Sequence, residues 1–256
     1  MKHLTFYKYQ GAGNDFILFD ARDGFPEVSN QQMAAWCDRH FGIGADGVML
    51  LLPPSHPGDQ FYMQYHNADG NQSTMCGNGG RCIARFAADL GICGSSATFH
   101  AIDGPHWAEI RPESVTLGMI DAPAVTERQG GYFVNTGSPH HVEQTPFTDD
   151  FVSTARAKRH AYGPEGSNIN HIEPRGPQSL AIRTFERGVE DETLACGTGA
   201  VAAAMVAVAQ GWVAAPPVQI AAQGGNLEVS FEGNGPFTSV WLKGPAEFVF
   251  KGTLEL

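Results

Sequence analysis

Apolar positions in this chain fall mostly into short runs cut by glycine and proline, the signature of strands joined by turns. Residues 4–9 and 15–20 read as strands flanking the loop Gly11-Ala12-Gly13-Asn14. Residues 48–52 and 61–66 read as further strands, followed by short ones near 97–102, 106–111 and 115–120. The order then recurs, with strands near 131–135, 180–186, 218–222, 226–231, 238–242 and 247–251. Helical spacing is confined to a few places. Ser29-Asn30-Gln31-Gln32 resembles a capping box that opens a helix with Met33, Ala34, Trp36, Cys37 and Phe41 on its apolar face. Thr148 is expected to cap a helix with Asp149 and Asp150 in its first turn and Lys158, Arg159 and His160 in its last, matching the helix dipole. Two more helices are expected over about 78–90 and 198–210. The second is apolar on nearly every side from Ala200 to Ala209, so sheet should surround it.

Those last two helices begin alike. Cys76-Gly77-Asn78-Gly79 and Cys196-Gly197-Thr198-Gly199 lie 120 positions apart, and each apolar stretch stops at a glycine, Gly91 and Gly211. The same offset pairs Asn67 with Arg187 and Asp103-Gly104 with Gln223-Gly224. Agreement at so many positions marks a duplicated unit. The fold class expected is α/β of the α+β type, in two pseudo-symmetric domains. Residues 1–120 with 246–256 would form the domain carrying Cys76, and 121–245 the domain carrying Cys196.

Composition narrows the partners. The net charge is -11, with no block of consecutive like charges, which argues against nucleic acid. The start, Met1 to Lys8, has no apolar signal core, and the run Ala200–Ala209 is about half the ~20 residues that cross a bilayer. No membrane role is expected, and the location expected is cytoplasmic. The five cysteines include no CxxC pair, so neither a zinc site nor disulfide exchange is indicated, and reduced thiols are expected. Gly42-Ile43-Gly44-Ala45-Asp46-Gly47 spells a dinucleotide fingerprint, but it follows a helix and precedes a strand, the reverse of the required order. None of the five lysines sits in a context for a pyridoxal phosphate Schiff base.

Cys37, Cys82 and Cys93 read as small core residues. Cys76 and Cys196 do not, because each opens a helix among glycines. A helix N-terminus lowers a thiol pKa from about 8.5 towards neutrality. Glycines at 77, 79, 197 and 199 let backbone N–H groups approach a carboxylate and stabilise charge that spreads into it when an α-proton leaves. Two such thiols suit removal of a proton on one face of a carbon and its return on the other, at a site in a cleft between the halves.

Gly11-Ala12-Gly13-Asn14-Asp15-Phe16, Asn67-Ala68-Asp69-Gly70, Met75-Cys76-Gly77-Asn78-Gly79, Glu186-Arg187-Gly188 and Ala195-Cys196-Gly197-Thr198-Gly199 resemble the signature segments of the diaminopimelate epimerase family. The resemblance runs from residue 4 to the C-terminus. It implies a cofactor-independent two-base isomerase of two similar domains, each a rolled sheet around a central helix. The substrate implied is L,L- or meso-2,6-diaminopimelate, used for lysine and peptidoglycan precursors. Carried across, Cys76 and Cys196 are the acid/base pair, with His140 and Glu186 as auxiliary catalytic residues. Asn14, Asn67, Gly77, Asn78, Asn168, Glu186, Arg187, Gly197 and Thr198 match substrate-binding positions. No metal and no cofactor are implied, and a homodimer is.

The chain departs from the family pattern at Gly47, where many members carry Gln, and at Ser138, where many carry Asn. Recognition of the distal end of the substrate is expected to use other groups. Phe250 stands where the family has a dimer-contact tyrosine. The main alternative is a cofactor-free racemase of another amino acid such as histidine. Proline-type racemases usually carry a histidine where this chain has Asn78, and a purely binding protein would not need paired thiols.

Overall fold

The computed structural model describes residues 3–256. Its first half runs β1 (His3–Gly11), β2 (Asn14–Asp20), α1 (Asn30–Cys37), β3 (Gly47–Leu52), β4 (Phe61–Asn67), β5 (Gln72–Ser73), α2 (Gly77–Asp89), β6 (Ser96–Ala101), β7 (Gly104–Arg111) and β8 (Ser114–Gly118). The second half runs β9 (Thr126–Arg128), β10 (Gly131–Asn135), β11 (Pro139–Gln144), α3 (Phe151–Ala161), β12 (Asn168–Gly176), β13 (Ser179–Glu186), β14 (Asp191–Thr193), α4 (Gly197–Ala209), β15 (Val218–Ala222), β16 (Gly225–Glu232) and β17 (Thr238–Gly244). The last strand, β18 (Glu247–Glu255), returns to the first half. The chain divides into one unit of residues 1–117 with 245–256 and a second of 118–244.

The duplication is complete in the topology. In the first unit neighbours run β18, β1, β2, β3, β4, β6, β7, β8, with the β2–β3 and β4–β6 pairs parallel and the rest antiparallel. In the second unit they run β9, β10, β11, β12, β13, β15, β16, β17, and the parallel pairs are the equivalent ones, β11–β12 and β13–β15. Each unit is thus a mixed but mainly antiparallel sheet rolled about one buried helix. Helix α2 packs against β18, β1, β2, β3 and β7, and α4 against β10, β11, β12, β13, β15 and β16. Ten of the thirteen residues of α4 are buried, as its all-round apolar sequence requires.

Two expectations about helix ends are corrected. Ser29 does cap α1 by accepting from the Gln32 amide, but the helix stops at Cys37. The Asp38 carboxylate takes the His40 and Phe41 amides at 2.8 Å each, which turns the chain and leaves Phe41 95% exposed instead of on the apolar face. Helix α3 begins at Phe151 with Asp150, not Thr148, at its cap, because burial of Phe151 fixes where the first turn docks. Lys158, Arg159 and His160 do fill its last turn.

Candidate active site

In the first unit the site residues are assembled around the start of α2. Cys76 has extended backbone and caps the helix, its Sγ accepting the Gly79 amide at 3.2 Å. Such a bond stabilises the thiolate over the thiol. Gly79 is needed for space: a Cβ there would lie 3.1 Å from Cys76 Sγ and 2.4 Å from Met49 Cε. Asn14 is delivered by the β1–β2 hairpin, whose turn residues Ala12 and Gly13 both have positive φ (54° and 82°), as a tight two-residue hairpin requires. Asn78 Nδ2 donates to Asn14 Oδ1 at 3.2 Å, and Asn14 Nδ2 donates to Asp46 Oδ2 at 2.5 Å. Asp46 and Asp15 share Arg39, and Lys8 pairs with Asp15 at 2.6 Å. Burial alone would raise the Asp15 carboxyl, but Arg39 and Lys8 outweigh it and hold it below the usual carboxylate range.

Arg81 was not read as a site residue from the sequence, and it is the largest group in this assembly. It is fully buried beneath the first turn of α2. Its guanidinium donates to Gly77 O at 3.0 Å, Asn78 Oδ1 at 2.9 Å and Pro245 O at 3.3 Å. Burial pulls its pKa down, and a negative charge on the Cys76 sulfur would oppose that shift. The guanidinium therefore lies within electrostatic range of the Cys76 sulfur. Asn67, at the exposed end of β4, is paired in register with Gly47. The Gly47 departure has a structural reason: a Cβ there would meet the Tyr65 ring and His66 O at 2.5 Å each. Tyr65 occupies the space that a side chain at 47 would need.

The second unit builds the equivalent cap differently. Cys196 is extended and precedes α4, and its Sγ lies 3.5 Å from Thr198 Oγ1. Thr198 Oγ1 is 2.9 Å from His140 Nε2, and His140 Nδ1 is 3.1 Å from Asn170 Nδ2. Thr184 donates to Asn170 Oδ1 and Asn170 Nδ2 donates to His141 O, which fixes the amide so that its NH2 faces His140. The Asn168 NH2 is 3.4 Å from Nε2, but its two hydrogens go to Ser138 Oγ and Pro139 O. His140 Nδ1 therefore accepts, and Nε2 carries the proton towards Thr198. Complete burial pushes the His140 pKa down to about 3, so the ring is neutral at physiological pH. Asn170 also came unannounced by the sequence. Gly199 again makes room, because a Cβ would meet Asn170 Oδ1 at 2.7 Å and Cys196 Sγ at 3.4 Å.

Asn168 ties this half together. It donates to Ser138 Oγ at 2.9 Å and accepts the Arg187 amide at 2.8 Å. Ser138, the second departure, is thus a structural partner of Asn168. Arg187 is exposed, with Nη1 on Glu165 O at 2.8 Å, and Glu186 accepts from Thr193 Oγ1 at 3.0 Å. The other cysteines are poor nucleophiles: burial pushes Cys37 to about 11 and raises Cys82 and Cys93 as well.

The family model described as diaminopimelate epimerase matches this chain twice, over residues 6–123 and 132–249. The chain is 48% identical to a diaminopimelate epimerase of Flavobacterium psychrophilum, covering 98% of this chain and 100% of that one. It is 44% identical to the diaminopimelate epimerase of Chlorobaculum tepidum, covering 96% and 99%. Among solved structures, a Bacillus anthracis phenazine biosynthesis protein of the PhzF family superposes over all of both chains with a TM-score of 0.78 at 13% identity. A hydroxyproline epimerase from Agrobacterium vitis superposes over 98% of this chain and 92% of that one, with a TM-score of 0.71 at 12% identity. At those identities the two solved structures speak for the fold alone.

Proposed function

The chain belongs to the diaminopimelate epimerase family and is an isomerase, and we propose that Cys76 and Cys196 are the two acid/base groups that interconvert L,L- and meso-2,6-diaminopimelate. The observation that carries this reading is the pair of cysteine-capped helices at equivalent positions of a duplicated fold, each with a glycine three residues on that leaves room for the sulfur. One thiolate removes the α-proton and the other thiol supplies a proton to the opposite face, so the two exchange roles when the reaction reverses. Amides at the two helix N-termini hold the reacting carboxylate and stabilise the charge that enters it, in place of a pyridoxal cofactor. Membership of this family does not favour the alternative, a racemase of another amino acid such as histidine.

The remaining roles follow from the bonding. His140, neutral and buried, holds the Thr198 hydroxyl towards Cys196 and is a positioning residue. Asn78 and Asn14 present amides oriented by Arg81 and Asp46. The exposed Arg187 fork suits a carboxylate, and the exposed Asn67 suits an amino or carboxylate group of the distal end; Glu186 directly precedes Arg187 in the chain. Phe248, Val249 and Phe250, each 43–51% exposed in succession along β18, are the surface we assign to a homodimer. Among the described residues no helix is long and apolar enough to cross a membrane. We assign the enzyme to the cytoplasm, where lysine and peptidoglycan precursors are made.

Proton exchange in deuterated water tests the reading. L,L-diaminopimelate should exchange its α-proton with turnover, and histidine and proline should not. Exchange faster with histidine than with diaminopimelate would overturn it.

A further inference from the structure

In the first unit, the loop 53–60 and strand β6 bring together His56, Asp59 and His100. We propose that these three side chains form a binding site for a divalent first-row transition cation of the zinc, nickel or copper type. The Asp59 carboxylate is only 3% exposed, and His100 Nδ1 lies 2.6 Å from its Oδ2. His56 Nδ1 lies 4.0 Å from the same oxygen. The two imidazoles stack with centroids 3.8 Å apart and planes 18° apart. One ligand atom from each residue falls within 4.8 Å of the other two. Among the described residues, these imidazoles are the only basic groups within ion-pair distance of the Asp59 carboxylate.

Two imidazoles and a carboxylate make a borderline donor set, which zinc takes at about 2.0–2.2 Å with a fourth position left for water. Ligand atoms around such an ion stand roughly 3–4 Å apart. Closing the set therefore needs small moves. His100 and Asp59 separate slightly as the ion replaces the shared proton, and His56 rotates inwards. His56 can do so, since its side chain is 56% exposed, and its Nδ1 gives up the Ser55 hydroxyl at 3.0 Å for the ion. The frame beneath is fixed. Gln60 N donates to Thr98 O at 2.9 Å, Thr98 N donates to Gln60 Oε1 at 2.5 Å, and His100 is in register with Tyr62 across β4–β6. An ion here would clamp the loop to the sheet, and none of its ligands would be a thiol. His56 and Asp59 are three residues apart, but His100 lies 41 residues beyond Asp59, so no sequence spacing announces the site.

The test uses the full chain, stripped with chelator and titrated with Co2+ and Zn2+. The expected result is one ion per chain, a cobalt spectrum of nitrogen and oxygen ligands without a thiolate charge-transfer band, and a zinc-dependent rise in Tm. His56→Ala, on the exposed loop, should weaken binding at least about tenfold while leaving diaminopimelate turnover unchanged. Asp59→Asn should do the same to binding. Thiolate bands in the cobalt spectrum, equal affinity in His56→Ala, or no binding by the stripped protein would each overturn the proposal.

Discussion

The starts of α2 and α4 occupy the same place in the two copies of one fold, yet they are built from different materials. Arg81 and Val201 are the same position of the repeat, and both are fully buried. In the first copy a guanidinium fills the space under the helix start, satisfies two backbone carbonyls and the Asn78 amide, and sets a positive charge near Cys76. In the second copy a valine fills it, and polar support for Cys196 comes instead from the side, through Thr198, the neutral His140 and Asn170. Duplication preserved the cap and the glycine that makes room for the sulfur. The tuning of each thiol was then left to its own surroundings, one by charge and one by neutral hydrogen bonds.

The comparison breaks most directly at the thiols themselves. Cys76→Ala and Cys196→Ala should each lower epimerisation by about 10²–10⁴-fold or more, measured with L,L-diaminopimelate. Retention of turnover by either variant would show that the two caps are not equivalent in the reaction.

Arg81→Met tests the asymmetry. It removes the guanidinium bonds to Gly77 O, Pro245 O and Asn78 Oδ1, and should cost about 3 kcal/mol of stability by denaturant unfolding. It should also raise the pH at which Cys76 becomes alkylated, and Arg81→Lys, which keeps the charge, should raise it less. Val201→Ala should cost about 2 kcal/mol through its cavity and leave the alkylation profile of Cys196 unmoved. A shift at Cys196 in that variant would mean that the valine does more than pack.

The neutral network on the other side has its own signature in pH. His140 is held neutral when folded, down to about pH 3, and takes up a proton near its ordinary 6.5 when unfolded. Between those values the unfolded state binds more protons, so stability falls as pH drops, by at most about 1.4 kcal/mol per pH unit from this group. His140→Gln should flatten that part of the stability curve. Thr198→Val should lower kcat about five- to tenfold, the value of one hydrogen bond. A kcat/KM profile with an inflection near 6.5 that vanishes in His140→Gln would instead make the ring a titrating catalyst.

The smallest difference is at the two glycines. A methyl at Gly79 meets the movable end of Met49 at 2.4 Å and Cys76 Sγ at 3.1 Å, whereas one at Gly199 meets Asn170 Oδ1, which is fixed by its hydrogen bonds. Gly199→Ala should therefore cost about 1–3 kcal/mol and disturb His140, and Gly79→Ala should cost less, both read from Tm and turnover. Equal costs would mean that the Asn170 network is softer than its bonding indicates.

The sequence alone carried the repeat, the strands that alternate or run apolar, the four helices and both cysteine caps. Those features are local: side-chain periodicity, a cap residue and a stop glycine act within a turn or a strand. Strand β12 was not legible, since Asn168-Ile169-Asn170-His171-Ile172-Glu173 mixes polar residues onto a strand start buried on both faces. The extra length the spacing allowed to α1 was cut short by the Asp38 carboxylate. Tertiary structure alone decided that Arg81 is buried, that Tyr65 lies over Gly47, that Asn170 orients His140, and that His56, Asp59 and His100 converge. In each case the deciding partner is distant in sequence or belongs to the backbone. A buried polar side chain takes its role from where its hydrogen bonds are satisfied, and that is settled only when the strands are in register around the helix.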